Sequence, residues 1–335
     1  MSEVGSLFDM KSVAVIPNYR TDLTLSDCTE STTIGVGTHS YVYKTLYKGN
    51  EVVLKVVSDS SYRDPLAIRE FESEVSILSR LQHSNIVTLL GSGIEVDRRI
   101  IMLEYLAGGT LRKQLQVRFR RPFTEIKCLQ IAREFADALD YLHSRFDPLC
   151  MLIHRDLKPE NIGFTADGTL KLFDFGLCIA LEKGKADNGV YQLTGMRLTL
   201  HHVWHILLYL LGCTGSLRYM APEVALCQPY NEKVDMYSYA IILYEIITGN
   251  PTFDGYSRTQ FYSEVVYNEH RPSLDDDEYG HPIKVHPAVA AIMSKCWDPV
   301  VANRLSADKV LALLDDAEAS RGSGQGLGVF SCLPW

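Results

Sequence analysis

Hydrophobic and polar positions change rhythm about a third of the way along the chain. From 33 to 104, apolar residues alternate with polar ones at the period of a pleated strand, most plainly in YVYKTLY (41–47) and EVVLKVV (51–57). One stretch breaks the alternation. PLAIREFESEVSILSRLQ (65–82) sets Phe71, Val75, Leu78 and Leu81 at helical spacing, which predicts a helix lying on the strands. After Gly108 and Gly109 long amphipathic segments take over: LQIAREFADALDYLHSRF, KVDMYSYAIILYEIITG and VAAIMSKCWDP. The shift predicts a small strand-rich lobe joined near 104–109 to a larger helical lobe. Residues 1–30 and the glycine-rich 319–335 lack periodicity and are expected to be a flexible extension and a disordered tail.

Composition narrows the possibilities. The 335 residues are 46% apolar and 22% charged, enough to bury a large core or two packed lobes. A formal net charge of -8 disfavours non-specific binding to nucleic acid or anionic lipid. The eight cysteines are scattered, with no CxxC pair, as in a reduced cytoplasmic protein. MSEVGSLFDM has no cationic segment ahead of a hydrophobic core, so no secretory signal is expected. No segment reaches the roughly 18 apolar residues of a membrane span.

Candidate chemistry starts in IGVGTHSYVYK (34–44), where Gly35 and Gly37 flank Val36 between two strand-like runs. Glycines there let backbone N–H groups approach phosphate oxygens, although a plain hairpin has the same appearance. The next run, VVLK, ends in Lys55 on an otherwise apolar strand; such a lysine either guards a sheet edge or holds an anion. Glu74 is its natural partner, because the helix through FESEVSIL turns one face to the strands. The richest stretch is IHRDLKPENIGF (153–164), with Asp156, Lys158 and Asn161 between apolar Ile153 and Ile162. Asp174 follows within the strand-like LKLFDFGL (170–177).

In this order the motifs resemble those of the eukaryotic protein kinases: the glycine loop, the strand lysine, the helix glutamate, then HRDLKPEN, DFG and APE. The resemblance covers residues 31–318. HSNIV, RYMAPE and KCWDP are similar in style to the tyrosine-kinase-like group of serine/threonine kinases. It implies an α+β, bilobal fold, with a β-rich lobe (31–104) carrying one helix and a larger helical lobe (110–318). It also implies transfer of the γ-phosphoryl group of ATP, with Mg²⁺, to Ser or Thr hydroxyls of a protein substrate in signal transduction.

Residue roles follow from the same resemblance. Lys55, kept in place by Glu74, would hold the α- and β-phosphates beneath Gly35, Val36 and Gly37. Asn161 and Asp174 would ligate Mg²⁺, a hard cation that prefers oxygen. Asp156 would accept the substrate hydroxyl's proton, and Lys158, a feature of the serine/threonine type, would neutralise the transferring group. Val42 and Val53 would line the base, Leu103 would guard the rear of its pocket, and Glu104 and Leu106 would offer backbone hydrogen bonds. Leu78, Leu89, His154 and Phe175 match a hydrophobic spine between the lobes, and Glu223 and Arg304 a buried pair. Ser216 is either a hydroxyl touching Asp156 and Lys158 or a turn serine. Departures at Ser40, Ala240 and Leu305 remove no catalytic group. ATP and a protein substrate are the partners implied, without nucleic acid; no oligomeric state is specified.

The segment between DFG and APE is long. Removing 197–213 joins YQLTGM to TGSLRYMAPE at ordinary family length, so RLTLHHVWHILLYLLGC reads as an insertion, either a lineage-specific element or translated intron sequence. Its Leu198, Val203, Ile206, Leu207, Leu210 and Leu211 would seek burial, and the nearest surface is the substrate cleft. A nucleotide-binding scaffold silenced by this insert is therefore the second functional reading. His201, His202 and His205 lack an acidic or thiol companion, so no zinc site is expected. Arg155 is expected to bind a phosphorylated residue of the segment, Thr194 first among Thr194, Thr199 and Thr214. The acidic run 275–278 is either a solvated loop or a contact for a basic substrate.

Overall fold

The alternating segments pair into one antiparallel sheet. In the computed structural model, which describes residues 20–37, 39–58, 61–96, 98–117, 123–184, 217–276, 280 and 282–322, the strands are β1 (Cys28–Val36), β2 (Ser40–Tyr47), β3 (Asn50–Val57), β4 (Leu89–Glu95) and β5 (Arg98–Glu104). Their order across the sheet is β1-β2-β3-β5-β4. Lys48 and Gly49 join β2 to β3 with φ of 50° and 81°, the left-handed pair that matches the twist of a tight hairpin. Full register runs from Ser40 opposite Val57 to Tyr47 opposite Asn50.

Strand period two then divides β3 between two faces. Val52, Leu54 and Val56 point to one side, where they pack with Ile100, Met102 and Leu23. Lys55 falls on the other side with Val53, facing α1 (Pro65–Leu78). Pro65 opens that helix at a position where the missing N–H costs nothing.

Residues 20–30, expected in the flexible extension, are part of the lobe. The Leu23 N–H donates to the Ser92 carbonyl at 3.1 Å, and Ser92 N–H to the Arg20 carbonyl at 2.7 Å. Leu23 is buried, and Gly93 is glycine of necessity, because a Cβ there would stand 1.9 Å from the Leu23 carbonyl oxygen. The sheet has a greasy outer face that this strap covers; periodicity cannot reveal it, since the strap is too short to have a period.

The large lobe is built around α5 (Lys233–Thr248), preceded by β6 (Gly109–Thr110), α2 (Leu111–Val117), α3 (Glu125–Asp140), β7 (Cys150–Ile153), β8 (Ile162–Phe164), β9 (Leu170–Leu172), β10 (Ile179–Glu182) and α4 (Pro222–Ala225). It is completed by α6 (Arg258–Gln260), α7 (Pro287–Cys296) and α8 (Ala307–Gly322). The helical segments read from periodicity fall on α3, α5 and α7. Helix α5 is apolar all round and buried almost throughout, as expected of a helix at the centre of a lobe. It stops at Gly249, whose φ of 73° supplies the left-handed cap. Residues 319–322, assigned above to the tail, continue α8.

Glu223 and Arg304 meet with their side chains buried, through two bonds of 2.6 and 2.9 Å. Removing either partner strands a buried charge, a loss of about 3–5 kcal/mol. The insert 197–213, its histidines, Thr194, Thr199, Thr214 and Ser216 lie outside the described residues, as do 277–278 of the acidic run. Among the described residues no helix is long and apolar enough to cross a membrane.

Candidate active site

Helix α1 turns a polar residue inward. The periodic stripe predicted Phe71, Val75, Leu78 and Leu81 toward the sheet; Leu78 and Leu81 are buried as expected, whereas Phe71 and Val75 are half-buried and Glu74 and Ile77 join the buried face. That rotation delivers Glu74 to Lys55: Lys55 Nζ donates to Glu74 Oε2 at 2.7 Å and to Asp174 Oδ1 at 2.9 Å. Three elements distant in sequence thus meet at one ammonium. Burial works to lower the Lys55 pKa, but the carboxylates of Asp174 and Glu74 outweigh it and raise it above the ordinary lysine value. The same ammonium holds Asp174 below the usual carboxylate range, against burial. Both groups therefore stay charged at neutral pH.

A second cluster surrounds Asp156. Lys158 Nζ donates to Asp156 Oδ2 at 2.6 Å, and Asn161 Nδ2 donates to the same oxygen at 2.9 Å and to the Asp156 carbonyl at 2.8 Å. Burial opposes the charge on Lys158, yet the adjacent Asp156 raises its pKa. The β8–β9 hairpin, with Ile162 opposite Leu172, draws Asn161 and Asp174 to neighbouring strand ends, and Phe173 N–H closes on the Asn161 carbonyl at 3.1 Å.

Backbone strain marks the same loops. Arg155 and Asp174 adopt φ of 66° and 67°, left-handed values that cost a non-glycine residue about 1–3 kcal/mol each. Asp235, at the start of α5, helps to hold the first: its carboxylate accepts from the N–H groups of His154 (2.8 Å) and Arg155 (2.9 Å) and lies 3.0 Å from His143 Nε2. This residue was not singled out from the sequence, although an acid within an apolar helix is itself a signal, because a buried carboxylate needs donors.

The glycine loop caps this region from the small lobe. Gly35 pairs with Val42 and Val36 with Tyr41 across the β1–β2 hairpin, and Gly37 N–H donates to the Ser40 carbonyl at 2.7 Å. A Cβ on Gly37 would stand 2.9 Å from Ser40 Oγ, so a side chain there would require the Ser40 hydroxyl to turn away. Val36 is exposed. Val42 lies opposite Lys55, and Val53 opposite Leu103, which is buried. At the junction, the Glu104 carboxylate turns away, accepting from Thr88 N–H and Lys171 Nζ, both at 2.7 Å. Glu104 N–H is taken by the Thr88 carbonyl at 3.1 Å, which leaves its carbonyl as the candidate contact for a base. Leu106 follows, half-buried, its carbonyl accepting from Gly109 N–H at 3.0 Å.

Leu78, Leu89 and Phe175 are buried in the main core, and His154, also buried, has its ring 4.9 Å from that of Phe175. Arg155 is already engaged: its Nε donates to the Leu177 carbonyl at 2.7 Å and its Nη1 to Tyr230 Oη at 3.3 Å. Among the described residues no group of three or more His, Cys, Asp and Glu side chains is arranged to hold a metal by itself. Asn161 and Asp174 nevertheless offer oxygens at adjacent strand ends, a donor set suited to a hard cation that keeps most of its ligands from water and phosphate.

Comparison with known proteins identifies the family. The protein kinase domain profile matches residues 28–313, beginning where β1 begins. The chain is 32% identical over 308 residues to the serine/threonine-protein kinase VIK of Arabidopsis thaliana, covering 91% of this chain and 63% of that protein. It is 29% identical over 283 residues to the serine/threonine/tyrosine-protein kinase HT1 of the same plant, covering 83% and 63%. With the serine/threonine-protein kinase CTR1, also from Arabidopsis thaliana, identity is 29% over 265 residues, or 79% of this chain and 28% of that protein. The chain thus spans less than two thirds of the length of these relatives. It belongs to the protein kinase domain family, on the side of the tyrosine-kinase-like serine/threonine kinases that its motifs resemble.

Proposed function

We propose that the chain is an ATP-dependent serine/threonine protein kinase acting on protein substrates in cytoplasmic signalling. The observation that carries this is the placement of Lys55 Nζ between Glu74 and Asp174, with Asp156, Lys158 and Asn161 joined beside it. Lys55 binds phosphate oxygens of the nucleotide and Glu74 fixes its position. Gly35, Val36 and Gly37 present backbone over the phosphates; Val42, Val53 and Leu103 enclose the base, which donates to the Glu104 carbonyl and pairs with the backbone at Leu106. Asn161 and Asp174 hold Mg²⁺, which when bound screens the charge of the phosphates. Asp156 orients the substrate hydroxyl and takes its proton, and Lys158 balances negative charge on the group in transit. The six described cysteines are all free, which supports a reducing compartment.

The silenced-scaffold reading has only the insert in its favour, whereas the described site residues stand together. Purified protein given labelled ATP, Mg²⁺ and a generic protein substrate should incorporate label at Ser or Thr. Asp156→Asn should lower the rate by about 10²–10⁴-fold, and Lys55→Met should reduce it comparably. Incorporation that survives both changes would overturn the reading.

A further inference from the structure

The β1–β2 hairpin that carries the glycine loop is pinned at its tip by a side chain. Gly37 N–H on the Ser40 carbonyl closes the hairpin and leaves His39 in the turn. Residues at the tip of a hairpin ordinarily project into water, as Val36 does nearby. The His39 side chain is instead only 21% exposed. Its Nδ1 lies 3.2 Å from Ser61 Oγ and 3.9 Å from Asp64 Oδ2, and its carbonyl accepts from Ser58 N–H at 2.8 Å. Ser61 is itself buried, and its hydroxyl has His39 as partner. A hydroxyl can donate or accept, so this bond forms with whichever tautomer the ring adopts.

Ser58, Ser61 and Asp64 belong to the turn that joins β3 to α1. Ser61 N–H donates to the Ser58 carbonyl at 2.9 Å, Asp64 N–H to the Ser61 carbonyl at 3.0 Å, and Ile68 N–H to the Asp64 carbonyl at 3.0 Å, which carries the chain directly into the first turn of α1. That helix brings Glu74 to Lys55. At the end of β3, Val57 stands opposite Ser40, two residues or about 7 Å beyond Lys55. His39 therefore connects the loop proposed to cover the phosphates with the start of the helix that fixes the lysine proposed to bind them.

We propose that His39 is a positioning residue for the nucleotide: by bonding Ser61 it latches the glycine loop to the β3–α1 turn and sets how fast bound nucleotide leaves. The proposal rests on the kinase reading above. A loop free to swing off the phosphates is competent to bind for only part of the time, and the apparent affinity falls by that fraction. The bond to Ser61 limits this loss. Ser61 lies in the turn and not in the loop, so removal of its hydroxyl reaches the nucleotide through His39.

The test uses the full chain and the fluorescent nucleotide N-methylanthraniloyl-ADP with Mg²⁺, chased by excess ADP. His39→Ala should raise the dissociation rate about three- to tenfold, the size expected for one net hydrogen bond, and KM for ATP should rise with it. Ser61→Ala, which removes a single oxygen, should do the same, and the double variant should release no faster than the faster single one. His39→Asn should restore slow release, since its amide places a polar atom as many bonds from Cα as Nδ1. Release at the wild-type rate in either alanine variant, effects that multiply in the double variant, or a His39→Asn protein as fast as His39→Ala would overturn the latch. Failure of the kinase reading looks different: the wild type holds no nucleotide, or binds it and transfers no phosphoryl group.

Discussion

Asp235 sits beneath the Asp156 loop and touches no substrate, yet its oxygens hold the N–H groups of His154 and Arg155 and so support the left-handed turn at Arg155. Burial opposes its ionisation, but the hydrogen bond from His143 and the neighbouring His154 and Arg155 groups more than compensate, and its pKa is lowered. A carboxyl with a folded value below its unfolded value contributes stability that is fully present above roughly pH 4 and lost as pH falls through the folded value. Urea midpoints measured from pH 7 down to about pH 3 should therefore drop at the acid end. Asp235→Asn should be less stable at pH 7 and show a shallower acid decline. An identical pH profile in the two proteins would contradict this role. The residue types at the candidate site were legible from the motifs, but Asp235, His39 and Ser61 were not, because their importance lies in donors and acceptors far off in sequence.

At the scale of elements, the rotation of α1 and the strap over the sheet were the two departures from the periodic reading. A helix stripe identifies its apolar residues, but here one buried position is Glu74, which is stable inside only because Lys55 rises from β3 to meet it. The strap is held to β4 by three backbone bonds and by Leu23, buried among Val52, Leu54, Val56, Ile100 and Met102. Leu23→Ala should lower stability to urea by about 2–5 kcal/mol, the range for a core leucine truncation. Because Leu23 packs on the face of β3 opposite Lys55, the Kd for ATP should be unchanged in the folded variant. A stability loss below about 1 kcal/mol would show that the strap is dispensable.

For the molecule as a whole, the site exists only when the two lobes approach: Lys55 and Glu74 come from one and Asp174 from the other. A ligand held by both should stabilise their joined state. With Mg²⁺ and ATP at about 100 times Kd, binding adds about 2.7 kcal/mol and raises Tm. Lys55→Met should remove most of that shift. A full shift in Lys55→Met would detach the Lys55 cluster from nucleotide binding.

The order of strands and helices, the junction near 104–109 and the residue types at Lys55, Glu74, Asp156, Lys158, Asn161 and Asp174 follow from the chain read in one dimension. Periodicity and local spacing are properties of neighbours in sequence. The turn of α1, the strap at 20–27 and the clamp at Asp235 were decided in three dimensions. Each depends on whether a buried charge or an uncovered apolar face finds its complement, and that partner stands tens of residues away.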